Sequence, residues 1–162
     1  MSATAPPANV LAALPHLRRY ARVLTGEAPR ADLLVAETLD HAGKKSLPQT
    51  SLPDFRRRLF ALMHQLHFAR ATSAEGNPAT IADGTALSAP QSGKSAELLM
   101  QFGRLPTEER EVLLLVAVEG MHYDEIAGVL HVPVSTVMAR LKRARDRMRA
   151  ADLSFEAERN DA

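Results

Sequence analysis

Apolar residues recur every three or four positions along most of the chain, which is the spacing of helices that bury one face. In the N-terminal half this pattern predicts three helices, from Asn9 to Gly26, from Pro29 to about His41 and from Asp54 to about Ala71. Pro15 either begins the first helix or kinks it. The residues expected to face inward are Val10, Leu14, Leu17, Ala21 and Leu24, then Leu33, Leu34 and Leu39, and then Phe55, Leu59, Leu62, Met63 and Leu66.

The C-terminal half begins with a predicted helix that Ser95 caps and that packs through Leu98, Leu99 and Phe102. A second helix follows, in which Thr107 is the expected cap and three glutamates lie in the first turn, where the helix dipole favours acid. Its run 112–118 is apolar on nearly every side, which predicts a buried helix. Gly120 is expected to end that helix in a left-handed conformation.

A short helix, a turn and a strongly basic helix complete the pattern. Residues 123–130 predict the short helix, with Ile126, Ala127 and Leu130 inward, and 131–133 form a turn that contains Pro133. Residues 134–150 carry six Lys/Arg and one acid. The inward stripe expected in this last helix is Val134, Val137, Leu141, Ala144 and Met148. This order of elements predicts a helix-turn-helix with its supporting helix, whose last helix fits the major groove of DNA, although a solvated basic face is the plainer alternative.

Composition narrows the possibilities further. The 162 residues include no cysteine, which excludes a disulfide frame, a thiolate metal site and a cysteine nucleophile. The longest apolar run has seven residues and the N-terminus lacks the features of a signal peptide, so we expect a cytoplasmic protein without membrane insertion. Two basic blocks, 1–71 and 134–150, flank a neutral-to-acidic middle, which favours two separate anionic contacts.

The C-terminal half contains three motifs: Leu105-Pro106-x-x-x-Arg110-x-Val112, Glu119-Gly120-x-x-Tyr123-x-Glu125-Ile126-Ala127, and Val132-Pro133-Val134-Ser135-Thr136-Val137-x-x-Arg140-Leu141-x-Arg143-Ala144-Arg145. Together they resemble region four of the extracytoplasmic-function (group four) bacterial sigma factors, in the sigma-70 superfamily. In that family the domain reads the upstream promoter element and touches the flap of the RNA polymerase beta subunit. His122 departs from the pattern, since the family usually has a capping Ser there, and this predicts a softer helix start.

The N-terminal half resembles region two of the same family in three motifs: Leu14-Pro15-x-Leu17-Arg18-x-Tyr20-Ala21-x-x-Leu24-Thr25-Gly26, Ala31-Asp32-Leu33-Leu34-Val35-Ala36-Glu37-Thr38 and Phe55-Arg56-x-x-Leu59-Phe60-x-Leu62-Met63-His64. The family's region two clamps onto the coiled coil of the polymerase beta-prime subunit, chiefly through its Asp-Leu-Val segment. Arg58 stands where the family usually has Trp, loop 44–51 has no aromatic residue and the third helix ends with few cations. These departures suggest weak promoter opening or an unusual sequence preference at the downstream element.

The resemblance implies an all-α fold of two small helical domains joined by a flexible linker. The expected boundaries are a disordered arm at 1–8, region two at 9–71, the linker at 72–93, the region-four helix-turn-helix at 94–154 and an acidic tail at 155–162. The implied partners are core RNA polymerase, through its beta-prime coiled coil and beta flap, promoter DNA and an anti-sigma factor. We expect no cofactor, and no residue pattern supports catalysis.

Helical phase and the resemblance together give candidate binding residues. Those for the upstream element are Ser135, Thr136, Met138, Ala139, Arg140, Lys142, Arg143 and Arg145. Those for the downstream element are Lys44, Lys45, Arg56, His64 and Arg70. Those for the polymerase are Asp32, Leu33, Leu34, Val35 and Glu37.

Other functions remain open from the sequence alone. A sigma-like mimic that sequesters an anti-sigma factor would share the architecture without binding DNA, and an ordinary helix-turn-helix regulator would have an unrelated N-terminal half. His64 and His67 lie one helical turn apart, but no further ligand stands beside them, so a metal site is not expected.

Overall fold

All regular secondary structure in the part of the chain that the structure describes is helical. This computed structural model describes the backbone of residues 8–45, 51–73 and 93–160, and the side chains of all of these except 71–73, 94 and 152–160. The all-α prediction is confirmed by the elements in these ranges: α1 (Ala8–Thr25), α2 (Ala28–Lys44), α3 (Leu52–Ser73), α4 (Lys94–Arg104), α5 (Thr107–Ala117), α6 (Tyr123–Leu130) and α7 (Val134–Asn160).

The chain divides into two compact units, Met1–Pro78 and Ala79–Ala162. Most of the predicted linker, nearly all of the predicted arm and the end of the predicted tail lie outside the described residues. Ala8, which was expected in the arm, is the first residue of α1. The backbone of α7 continues to Asn160, so residues 155–160 of the predicted tail are helical.

In the first unit, α1 and α3 pack side by side in a parallel register. Tyr20 and Phe60 have ring centroids 4.8 Å apart, and one turn earlier His16 Nδ1 lies 3.4 Å from Arg56 Nη1. Both pairs are separated by 40 residues, which fixes the axial alignment of the two helices. α1 continues through Pro15 as one helix from Ala8 to Thr25. The core of the unit lies among all three helices, because α2 packs against both α1 and α3.

The inward face of α2 differs from the prediction. Its buried residues follow a helical phase that includes Ala31, Leu34, Val35, Thr38 and Ala42. Leu33 is out of phase with this stripe, and 65% of its surface is exposed. The expectation that Leu33 faces the core was wrong because three consecutive apolar residues cannot all point to one side of a helix.

In the second unit, α7 packs against α4, α5 and α6. The core contains Val112 and Leu115 from α5, Ile126, Val129 and Leu130 from α6, and Val137, Leu141 and Ala144 from α7. Val134, expected inward, is exposed at the first position of its helix. Leu98 is also exposed, and α4 buries Gln101 instead.

Four helix ends show which sequence signals succeed and which fail. Gly26 and Gly120 have φ of 75° and 66°, and the left-handed conformation predicted for Gly120 is confirmed. At the start of α5, Pro106 rather than Thr107 occupies the cap position. At the start of α4, Gly93 rather than Ser95 does so. The hydroxyl of Thr107 has another role, because it accepts a hydrogen bond from Arg110 Nη2 at 3.1 Å.

Arg110 is a charged residue in the core of the second unit. Its Nη1 also donates to the carbonyl of Gly103 at 3.0 Å, which ties the end of α4 to the first turn of α5. A guanidinium with these partners anchors the connection between the two helices. No described helix has the combination of length and apolar character that a membrane-crossing segment requires.

Replacing Phe60 by Ala should lower the free energy of unfolding of the first unit by about 3–5 kcal/mol, because the fully buried ring leaves a cavity beside Tyr20. The measurement is urea unfolding followed by far-ultraviolet circular dichroism. Leu33→Ala is the matched control on an exposed site, with an expected change within about 0.5 kcal/mol. Equal losses in the two variants would contradict the described core.

Candidate nucleic-acid interface

The helix-turn-helix is formed by α6, a three-residue turn and α7. His131 takes a left-handed conformation, with φ of 53°, and the N–H of Val132 donates to the carbonyl of Ala127 at 3.2 Å. The carbonyl of Pro133 then accepts the N–H groups of Thr136 and Val137, at 3.0 and 3.3 Å, and so begins α7. Because few residues favour this left-handed conformation, the turn is a well-defined local bend that fixes how α7 leaves α6.

One backbone donor at the start of α6 is satisfied by a side chain of the helix itself. Glu125 Oε2 accepts a hydrogen bond from the backbone N–H of His122 at 2.9 Å. This is one half of a capping box, whereas a capping Ser would accept the N–H of Glu125. The softer start expected from His122 stays a prediction.

Burial of Val137, Leu141 and Ala144 determines which residues of α7 point outward. Of the candidate residues for the upstream element, Thr136 and Arg140 are half-buried. The others are exposed: Ser135, Met138, Ala139, Lys142, Arg143 and Arg145. The helical phase used to choose these residues therefore agrees with their placement on the surface.

One edge of α7 faces the first turn of α5, and we call it the α5-facing edge; it consists of Arg140, Arg143 and Arg147. Arg140 Nη2 lies 3.1 Å from Glu108 Oε2. Arg143 Nε lies 3.3 Å from Glu109 Oε1, and Arg147 Nε lies 3.2 Å from Glu109 Oε2. The acids that stabilise the start of α5 thus also pair with the arginines of the candidate recognition helix.

The opposite edge of α7 borders an open groove of about 500 Å³. Lys142 Nζ donates to Asp146 Oδ2 at 2.7 Å, and this hydrogen bond holds the pKa of the Asp146 carboxyl below its usual value. Within the described part of the chain, Arg145 has no ion-pair partner. Sequence reasoning missed Tyr123 and Arg149 as members of this groove, which is lined by Tyr123, Met138, Ala139, Leu141, Lys142, Arg145, Asp146 and Arg149.

In the first unit, two of the candidate polymerase residues are part of the core. Leu34 and Val35 are buried, so their side chains hold α2 against its neighbours and do not form a surface for a partner. Asp32 and Leu33 are exposed, and Glu37 is half-buried. The exposed part of this segment therefore reduces to Asp32, Leu33 and the accessible side of Glu37.

The candidate residues for the downstream element are spread over two helices. Lys44 Nζ donates to Asp40 Oδ2 at 2.6 Å, which holds the pKa of the Asp40 carboxyl below its usual value, and Lys45 is exposed beside it. Arg56 contacts His16 far from the end of α3. Arg70 forms an ion pair with Glu37 of α2 at 2.5 Å. The sequence analysis predicts that Arg70 binds the downstream element and that Glu37 binds the polymerase.

Aromatic rings lie near the end of α3, where the sequence analysis noted few cations. The ring centroids of His64 and Phe68 are 4.5 Å apart, and those of His67 and Phe68 are 5.2 Å apart with the rings at 89°. All three side chains are half-buried, so part of this cluster remains accessible. Phe68 was missed as a candidate, although its spacing from His64 on one helix face was a usable signal.

Family models match both halves of the chain. The model described as Sigma-70, region 4, matches residues 95–148, and the model described as the Sigma2 domain of PhyR matches residues 10–64. The first covers nearly all of α4, all of α5 and α6 and the basic part of α7, and the second covers most of α1, all of α2 and about half of α3. This match is inconsistent with an ordinary regulator that has an unrelated N-terminal half.

Solved structures share the fold. The sigma factor RpoE from Bartonella quintana, in complex with the anti-sigma factor NepR, superposes with a TM-score of 0.69 at 24% identity and covers 88% of this chain and 92% of that one. The PhyRSL–NepR complex from Sphingomonas sp. Fr1 gives a TM-score of 0.61 at 25% identity, over 88% of this chain and 85% of that one.

A curated relative carries the assignment to a family. The chain is 33% identical over 154 residues to the ECF RNA polymerase sigma factor EcfG of Rhodopseudomonas palustris (strain TIE-1), which covers 88% of this chain and 82% of the relative. A similarity of this extent includes both helical units and not the helix-turn-helix alone. The chain therefore belongs to the ECF RNA polymerase sigma factors, within the sigma-70 superfamily.

Proposed function

We propose that this chain binds core RNA polymerase and directs it to specific promoters, with α7 as the recognition helix for the upstream element. The observation that carries the proposal is the division of α7 into a buried stripe and an outward face with a row of cations. A helix with such a face fits the major groove, where its cations reach bases and phosphates.

The outward face of α7 supports a division of labour among its residues. Ser135, Thr136, Met138 and Ala139 lie near the start of the helix, where short or flexible side chains let the backbone approach base edges. Arg143 and Lys142 lie further along and are long enough to reach bases. Arg140 and Arg145 suit phosphate contacts, which fix register and orientation rather than sequence.

The exposed end of the Asp32–Glu37 segment supports polymerase binding. Leu33 presents an apolar side chain between the acidic side chains of Asp32 and Glu37 on the surface of α2. An apolar contact flanked by acids fits a basic amphipathic helix, which is the chemistry implied for the beta-prime coiled coil. Leu34 and Val35 contribute by holding this helix in place.

The end of α3 supports contact with unpaired bases of the downstream element. His64 lies against Phe68, and aromatic faces of this kind can stack bases, while Lys44 and Lys45 at the end of α2 supply positive charge for phosphates. Arg70 is more than half exposed, so its guanidinium group can reach a phosphate while Nη2 stays beside Glu37. Arg56, which contacts His16, is the least suited of these candidates.

A second function is favoured by one specific observation. The N-terminal half matches the Sigma2 domain of PhyR, and PhyR of Bartonella quintana is described as an anti-anti-sigma factor complexed with NepR. A mimic of this kind would bind an anti-sigma factor without using DNA. The cations of α7 argue against it, because a chain that never meets DNA has no need of a basic outward face.

An anti-sigma partner is also part of the proposal. The sigma factor RpoE, which shares the fold, is described in complex with the anti-sigma factor NepR. We infer that a partner of the same type binds this chain and competes with core polymerase.

Run-off transcription with purified core RNA polymerase and a promoter library distinguishes the two functions. A sigma factor gives promoter-dependent transcripts that require the chain, whereas a mimic gives none and only relieves inhibition by an anti-sigma factor. Absence of both binding to core polymerase and transcripts at low ionic strength would overturn the proposal.

Arg143→Ala should cost about 1–3 kcal/mol of discrimination at one base pair of the upstream element, because a guanidinium that forks onto a guanine reads that base pair. Arg145→Ala is the control, since loss of a phosphate contact weakens all sequences alike. The measurement is transcript yield from promoters randomised in the upstream element. Equal losses on all sequences in the Arg143→Ala variant would exclude base reading by Arg143.

Leu33→Asp should weaken binding to core RNA polymerase by about tenfold or more, since burial of a leucine at an interface is worth about 1.5–3 kcal/mol and tenfold corresponds to about 1.4 kcal/mol. Leu11→Asp places the same change on an α1 leucine that is also half exposed. Binding is measured by fluorescence anisotropy of the labelled full chain. Unchanged affinity in the Leu33→Asp variant would exclude this surface of α2 as the docking site.

A further inference from the structure

Glu109 is a nearly buried carboxylate that contacts the α5-facing edge of α7. It lies in the first turn of α5, and only 5% of its side-chain surface is exposed. Burying a carboxylate is costly unless it is paired. Its partners are two cations on α7, Arg143 and Arg147, one helical turn apart and therefore on the same edge of the helix.

The geometry of these contacts leaves the outer ends of both guanidinium groups available. Each arginine approaches Glu109 through Nε, at 3.3 Å for Arg143 and 3.2 Å for Arg147. Nε is the inner nitrogen of the guanidinium, so the terminal nitrogens lie further from the carboxylate. Both arginine side chains remain more than half exposed, at 53% and 57%.

From this arrangement we infer that Glu109 is a positioning residue for sequence reading: it holds Arg143 by Nε so that its terminal nitrogens face one base pair. The inference rests on the proposed function. An arginine side chain in water loses considerable rotamer freedom when it binds, and a fixed guanidinium has already lost part of it. Specificity should therefore depend on a residue that does not itself reach the DNA.

The same contact limits indiscriminate binding. One carboxylate offsets one of the two positive charges, and both guanidinium groups are held near the surface of α5. Removing the negative charge of Glu109 raises the net charge of this face of α7 by one unit and lets the Arg143 and Arg147 side chains move. Binding to any phosphate backbone then strengthens, while selection between base pairs weakens.

Glu109→Gln is the appropriate change because it preserves the shape of the side chain. The change removes the negative charge that attracts both guanidinium groups and leaves only one oxygen, since the amide nitrogen is a donor that cannot accept an N–H group. Glu108→Gln is the matched control, since Glu108 is the neighbouring acid, is more than half exposed and pairs with Arg140 instead. The third variant is Arg143→Ala, alone and combined with Glu109→Gln.

The test is transcription by core RNA polymerase with each full-length variant, from promoters randomised in the upstream element. Glu109→Gln should lower the preference at the base pair that Arg143→Ala affects, by about threefold or more, and the double variant should be no worse than Arg143→Ala. Glu108→Gln should keep the wild-type preference at that base pair. A purely structural role would reduce yield from all promoters alike, which would overturn the inference.

Two further outcomes separate this inference from the proposed function. Wild-type protein that gives no promoter-dependent transcripts would overturn both. If the wild-type protein is active and Glu109→Gln leaves the preference at the Arg143 base pair unchanged, the inference alone is overturned. The same holds if the losses of Glu109→Gln and Arg143→Ala add up in the double variant.

A second measurement needs no change at Glu109. In the nuclear magnetic resonance spectrum of the full chain, the Nε–H signal of Arg143, which donates to Glu109 Oε1, should exchange with water more slowly than that of Arg145. Arg143→Lys and Arg145→Lys assign the two signals. Equal exchange for the two arginines would overturn the inference even where Glu109→Gln fails to fold.

Discussion

The packing of Val137, Leu141 and Ala144 against α5 and α6 is the contact on which the candidate interface depends. Each is buried, and together they leave α7 only one rotation about its axis. The turn at His131 fixes where the helix begins, and this stripe then fixes which side chains reach solvent. Rotating α7 about its axis by one residue would bury cations in place of apolar groups, which costs far more free energy than the observed orientation.

Electrostatics then divides the outward face of α7 into two unlike edges. On the α5-facing edge, the acids that favour the start of α5 also hold three arginines. On the other edge, Lys142 is paired within its own helix and Arg145 borders an open groove. A basic helix is therefore not a uniform charged rod, because each cation is held to a different degree before any partner arrives. Held cations suit selection between sequences, and cations that move freely suit attraction to any phosphate.

In the first unit, helix packing connects groups that sequence position keeps apart. The register of α1 and α3 brings Tyr20 against Phe60, and the ion pair of Arg70 with Glu37 joins the end of α3 to α2. The candidate polymerase residue Glu37 and the candidate downstream residue Arg70 are therefore direct neighbours in the folded unit.

The sequence by itself determined the helices, their order, the left-handed end at Gly120 and the family, because periodic apolar residues and short motifs are local properties of a chain. The sequence also predicts most of the exposed residues of α7, since a single buried stripe fixes the rotation of the helix about its axis. It misjudged Leu33, Leu98 and Val134 because a run of apolar residues does not state which of them meets a neighbouring helix. Only the tertiary structure decided that Glu109 pairs with Arg143 and Arg147, and Glu37 with Arg70, because such contacts join residues more than thirty positions apart and depend on how whole helices pack.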